Sequence, residues 1–192
     1  SLSKPLKTLC DLDILEREVP PTEKNIETSK KGQYRIKDNF LAFWFRFVYP
    51  MRSFIESDHP EIAMTKLKTG FIPNHVGYVY EDICRQKMWE LNAQGKLPFL
   101  FDRVGRWWGG KDTEIDIVAI DTTDRSKIIF GECKFHQNVP MQLSELHQLK
   151  EKAAVVPWGN ANRDEYFALF CISGYSEDLQ QLAQEDSHLL LM

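Results

Sequence analysis

No stretch of this 192-residue chain approaches the roughly 18 consecutive apolar residues that a membrane-spanning helix needs, so no membrane partner is expected. Positive charge is not in excess either. Lys and Arg number 24 against 28 Asp and Glu, giving a net charge of -4 and no global basic footprint of a protein that coats nucleic acid. A local basic groove beside an acidic site is still compatible with that balance. The four cysteines, Cys10, Cys84, Cys133 and Cys171, are widely spaced and form no CxxC pair. They read as reduced, mostly buried thiols rather than zinc ligands or a disulfide framework. No GxxxxGK[ST] occurs, so ATP has no phosphate loop in this chain. Internal repeats, low-complexity linkers and a visible signal peptide are also missing, and the cytoplasm is the expected compartment. The first residue is Ser1, inside a helical pattern, which raises the expectation of a piece of a longer protein.

Leu2, Leu6, Leu9, Leu12 and Leu15 fit a short helix followed by a turn around Asp11 to Asp13. "ILEREVPP" and "GQYRIKD" then read as two short strands joined by the polar loop "TEKNIETSKK". Pattern alone leaves two readings open, a plain hairpin or the end of a winged helix whose leading helices would precede Ser1. Asp38 or Asn39 can cap the next helix, "FLAFWFRFVYP". It is apolar nearly all round, so core burial is expected, with an end or kink before Pro50. Residues 56–72 read as helical, "IPN" as a break, and residues 75–91 as a helix. In that last helix Val76, Tyr80, Ile83 or Cys84, Met88 and Leu91 form one stripe, with Glu81 at its margin.

Beyond residue 96 the period changes to that of strands. "LPFLFDRVGRWW", "EIDIVAID", "KIIFGECKF" and "EYFALFCIS" are expected strands. "MQLSELHQLKEKAAVV" and "SEDLQQLAQ" are expected helices, and "HLLLM" is a possible last strand. The order from the preceding helix is α-β-β-β-α-β, an α/β domain with a central mixed sheet.

The chemistry concentrates in two of these strands. Strict alternation puts Glu114, Asp116 and Val118 on one face of "EIDIVA", with Ile115 and Ile117 on the other. In "GECKF" it puts Glu132 and Lys134 on one face and Cys133 behind. If the two strands are antiparallel neighbours, Asp116 and Glu132 converge. Paired carboxylates in a half-buried site repel unless one protonates or a cation neutralises them. A hard divalent ion such as Mg²⁺ or Mn²⁺ suits them, polarises phosphoryl oxygens and activates water. Lys134 would position or help deprotonate the attacking water, or stabilise charge on the phosphate. Glu114 is read as peripheral. His136 and His147 stand at no zinc-like spacing. Trp107 and Trp108 read as edge packing, and "GGK" as a turn with a lysine near the site.

Asp116 with Glu132-x-Lys134, in this order of elements, resembles the PD-(D/E)xK nuclease superfamily. "GGKDTEIDIVAID" followed by "IIFGECKF" is especially similar to its archaeal Holliday-junction-resolvase-like branch. The Pro that usually precedes the Asp is replaced by Ile115. Over nearly all of its length, through "GQYRIKDNFLAFWFRFVYP", "GYVYEDIC" and "RWWGGKDTEIDIVAID", the chain also resembles a C-terminal domain of unknown function. That domain is found on archaeal and bacterial AAA-type ATPases.

The resemblance implies a restriction-endonuclease-like core preceded by a partial winged helix. The expected segments are a winged-helix remnant over 1–37, a buried aromatic helical connector over 38–75 and the nuclease-like domain over 76–192. It further implies cleavage of DNA with Mg²⁺ or Mn²⁺, the metal held by Asp116, Glu132 and Glu81 and catalysis shared with Lys134. Arg103, Arg106, Lys111 and Lys152 are weaker nucleic-acid-binding candidates. Implied partners are DNA and an N-terminal ATPase domain, with a homodimer possible. The rival expectation is an inactive module that binds DNA or a partner for that ATPase. RNA or a nucleotide is a third expectation for the substrate.

Overall fold

A computed structural model describes residues 2–110, 112–160 and 162–192. By its internal contacts the chain divides into two units, Ser1–Glu18 with Gly32–Val79, and Val19–Lys31 with Tyr80–Met192.

In the first unit, helix α1 (Ser3–Asp11) is followed by strands β1 (Leu15–Glu18) and β2 (Gln33–Ile36), paired antiparallel from Leu15 with Ile36 to Glu18 with Gln33. Arg35 forms ion pairs with Glu16 and Glu18. Asp38, not Asn39, caps α2 (Asn39–Phe43) by accepting a hydrogen bond from the Leu41 N–H at 2.8 Å. Two further helices follow, α3 (Arg52–Glu56) and α4 (Pro60–Phe71), and then α5 (Gly77–Ala93), which from Tyr80 on belongs to the second unit.

Two expectations fail in this unit. The "IPN" stretch does not break the helical path, because Ile72–Val76 winds as a π turn that leads directly into α5. Trp44–Val48, ahead of Pro50, is wound in the same way. A proline removes one N–H donor and crowds the preceding turn, and the wider π turn relieves that crowding. The aromatic helix is also not buried on several sides. Phe43 and Phe47 lie against Phe71 and His75, with centroid separations of 5.6 to 6.3 Å across the set. That one stripe is shielded, while Phe40 (65% exposed), Phe45 and Tyr49 face outward. An all-round apolar helix in a thin layer has more apolar sides than its neighbours can cover.

The second unit is α/β. Strands β3 (Arg103–Gly109), β4 (Thr113–Ile120), β5 (Lys127–Lys134), β6 (Asp164–Cys171) and β7 (Leu189–Leu191) lie in that order in one mixed sheet. The first three are antiparallel to one another, and β5, β6 and β7 run parallel. Helices α6 (Leu143–Ala154) and α7 (Glu177–Glu185) connect the parallel strands. They cover one face, where Leu146, Leu149, Ala153 and Leu179 pack on Ile128, Phe130 and Leu169. Cys84 and Met88 of α5 cover the other, against Ile117, Ala119, Ile129 and Phe170. Cys84, not Ile83, is the inward residue of the two. A capping box of Gln142 and Glu145 starts α6. The loop Val19–Lys31 packs along β3. Arg103 donates to the carbonyls of Pro21 and Glu23, and Trp107 and Trp108 donate to Thr22 Oγ1 and to the Lys31 carbonyl. The cysteines are all free, with Cys84 and Cys171 buried.

Gly131 lies where β4, β5 and β6 approach closely. A Cβ there would meet Ile117 Cβ at 2.9 Å and the Ala168 carbonyl oxygen at 3.1 Å, neither of which belongs to a flexible side-chain end. Gly131→Ala is expected to destabilise the second unit by about 1–3 kcal/mol, the usual cost of overpacking, read as a lower urea midpoint.

Candidate metal-dependent phosphodiester site

The site grows from an irregularity in β4. From Gly105 to Trp107, β3 advances two residues, while its partner β4 advances three, from Val118 to Ile115. One residue of β4 is therefore extra, and Asp116 and Ile117 together face Arg106. This β-bulge corrects the alternation expected from sequence. Ile115 packs with Val118 and Ile120 on the α6 face, while Ile117 packs on the α5 face. Asp116 belongs to neither core. Bulges re-aim a side chain in this way beside functional sites.

The ladder between β4 and β5 ends at Ile117 and Gly131, and its register continued by one residue sets Asp116 opposite Glu132. Here Asp116 Oδ2 takes the place of a ladder carbonyl and accepts the Cys133 N–H at 2.8 Å. Glu132 is buried (6% exposed). Its Oε1 accepts from Lys134 Nζ at 2.6 Å and its Oε2 from Lys152 Nζ at 3.0 Å. Glu81 joins from α5. Its Oε2 is buried and accepts no hydrogen bond, with Arg106 Nε at 3.4 Å and Arg85 Nη1 at 3.7 Å as ionic neighbours.

These surroundings raise the proton affinity of Glu81 and Asp116. Burial, then the charge of Asp116, push the Glu81 carboxyl up to about 7. Burial, then the charge of Glu132, raise Asp116 to about 6, although the Cys133 N–H opposes the shift. Burial alone would lower Lys134, but the charge and hydrogen bond of Glu132 outweigh it, and its pKa stands above the ordinary value. Lys134 is thus an ammonium throughout the neutral range. That favours charge stabilisation over proton abstraction among its expected roles.

The predicted residues therefore divide. Glu81, Asp116, Glu132, Lys134 and Lys152 come together. Arg106 adjoins them, holding Glu81 and, at 3.1 Å, Glu114. Arg103 is turned to the Val19–Lys31 loop instead. Lys111 lies outside the described residues. His136 and His147 are exposed. Arg85 was missed by sequence reasoning. It is buried, donates to the Asp116 carbonyl at 3.2 Å and pairs with Asp82, so it pins the bulge to α5. Its only sequence signal is the i, i+4 spacing from Glu81, which also describes any surface ion pair.

Among the described residues, no three His, Cys, Asp or Glu side chains gather closely enough to hold a metal by themselves. The donor set nevertheless fits a hard ion. Mg²⁺ typically takes one or two carboxylates and keeps several waters. Asp116 and Glu132 are such a pair, and the buried Glu81 Oε2, which accepts no hydrogen bond and has Arg106 and Arg85 as ionic neighbours, is a further oxygen beside them.

Among the described residues, no helix is long and apolar enough to cross a membrane. No solved structure matches the chain. It is 35% identical over 165 residues to an uncharacterized protein of Methanocaldococcus jannaschii, covering 85% of this chain. The chain spans 36% of the length of that relative. The family model described as archaeal and bacterial proteins of unknown function matches residues 44–153, a segment that includes every residue of the site from Glu81 to Lys152. More than half of the chain lies within that match, and the chain belongs to this family of archaeal and bacterial proteins.

Proposed function

We propose that the second unit is a Mg²⁺- or Mn²⁺-dependent phosphodiesterase that cleaves DNA, on a sheet of restriction-endonuclease-like topology. The observation that carries this reading is the bulge, which spends a whole residue of a core strand on setting a carboxylate opposite Glu132. Asp116 and Glu132 would hold the ion, with Glu81 beside Asp116. A divalent ion here supplies Lewis-acid polarisation of a phosphoryl oxygen and a lowered pKa of bound water. Lys134 keeps its proton and offers a fixed positive charge to the oxygen on which charge builds. Arg85 holds the Asp116 backbone, so the carboxylate stays aimed. The resemblance to domains carried by AAA-type ATPases makes an ATPase domain the proposed partner.

The test is incubation of end-labelled linear duplex and four-way-junction DNA with Mn²⁺. Cleavage by the wild type and none by Glu132→Gln is the expected result. DNA bound but uncut by both proteins supports the second reading, a non-catalytic module. The observation favouring that reading is that two lysines already neutralise Glu132.

A further inference from the structure

Glu132 is a buried carboxylate whose two oxygens face two different ammonium groups, Lys134 at 2.6 Å and Lys152 at 3.0 Å. The two lysines are not equivalent. Lys134 sits two residues further along the same strand, so its reach to Glu132 is fixed by β5. Lys152 comes from the last turn of α6, 20 residues away, so its distance from Glu132 is not fixed by β5. The two side chains are about equally exposed, at 28% for Lys134 and 31% for Lys152. Lys152 is not needed to close the helix end, where Arg163 Nη2 donates to the Ala153 carbonyl at 2.9 Å. A lysine on a flexible four-carbon stem with a path to water can leave its partner without moving the backbone.

From this geometry we infer that Lys152 is the resident counter-ion of the divalent site. It neutralises Glu132 Oε2 while no divalent ion is bound and withdraws when one binds. This inference rests on the phosphodiesterase reading and gives the same site a regulation. Ion affinity is set by competition with an ammonium of the chain, so the site fills only when the ion outcompetes Lys152. The alternative role, orienting Glu132 as a supporting partner, has the opposite signature. Losing such a partner typically weakens metal binding by about 10–100-fold.

The experiment is direct Mn²⁺ titration of the metal-free protein, following the free-ion paramagnetic signal, for the wild type, Lys152→Met, Lys152→Gln and Asp116→Asn. Lys152→Met keeps the apolar stem and removes the charge. It is expected to bind Mn²⁺ roughly tenfold more tightly, the value of one charge-assisted hydrogen bond no longer broken on binding. Its melting temperature should be lower than wild type without metal and rise more with Mn²⁺. Lys152→Gln, which retains a neutral donor, should fall between. Should Lys152→Met not fold, Lys152→Gln carries the comparison alone. Affinity unchanged or weakened in the folded variant overturns the counter-ion role and leaves the site reading standing. Mn²⁺ taken up by neither wild type nor variants, or equally by Asp116→Asn, overturns the site reading and the counter-ion role with it.

Discussion

Lys134→Met is expected to lower Mn²⁺-supported DNA cleavage by roughly 10²–10³-fold, the usual cost of removing one donor aimed at developing charge. Lys134→Arg should retain a measurable part of the rate. The reasoning starts from the protonation state. With Glu132 2.6 Å away, Lys134 is held as an ammonium above its ordinary range, so what it brings to a phosphate is charge. An arginine keeps the charge and loses the compact geometry, and methionine keeps the stem alone. Single-turnover rates at saturating Mn²⁺ separate the two variants. A Lys134→Met protein that cleaves at the wild-type rate would remove Lys134 from the chemistry. Arg and Met variants that are equally dead would mean that proton transfer, not charge, is its contribution.

The second large effect concerns stability and pH. Glu81 has an ordinary value of 4.5 and is raised to about 7, and Asp116 goes from 3.8 to about 6. Both acids bind protons more tightly in the folded chain than in the unfolded one. Their contribution to stability is therefore full below the unfolded values and is lost as pH rises through about 6 to 7. For Glu81 alone the loss is about 3 kcal/mol. Because the two acids raise each other, their costs do not simply add. Urea denaturation with a chelator present should show a more stable second unit at pH 5 than at pH 8. Glu81→Gln should flatten that slope and be the more stable protein at pH 8. Wild type and Glu81→Gln showing the same slope would locate the pH dependence elsewhere.

Much of the second unit was legible in the sequence. The apolar, β-prone runs "KIIFGECKF" and "EYFALFCIS" and the helical stretch "MQLSELHQLKEKAAVV" pointed to β5, β6 and α6. Strand β5 and helix α6 fall within those stretches, and β6 begins one residue earlier, at Asp164. The bulge was not legible. Isoleucines on both sides of Asp116 make a regular strand and a bulged one look alike, and only the pairing of Trp107 with Ile115 tells them apart. Lys152 and Arg85 reach Glu132 and the Asp116 carbonyl across 20 and 31 residues of chain, beyond any local pattern. The aromatic helix misled for another reason. Apolar residues all round a helix state that burial is favourable, not that there is enough neighbouring chain to provide it.

The bulge also has a meaning for descent. Without Asp116, the run Ile115, Ile117, Val118, Ala119, Ile120 alternates perfectly between the two cores. Loss of a single codon would regularise β4, leave both hydrophobic layers intact and erase one wall of the site. A lineage could thus shed the carboxylate in one genetic step while keeping the fold. Regaining it would require an insertion, because no point substitution restores the count. Copies of this domain that carry the shorter strand would then serve as scaffolds, distinguishable from the longer ones by strand length alone.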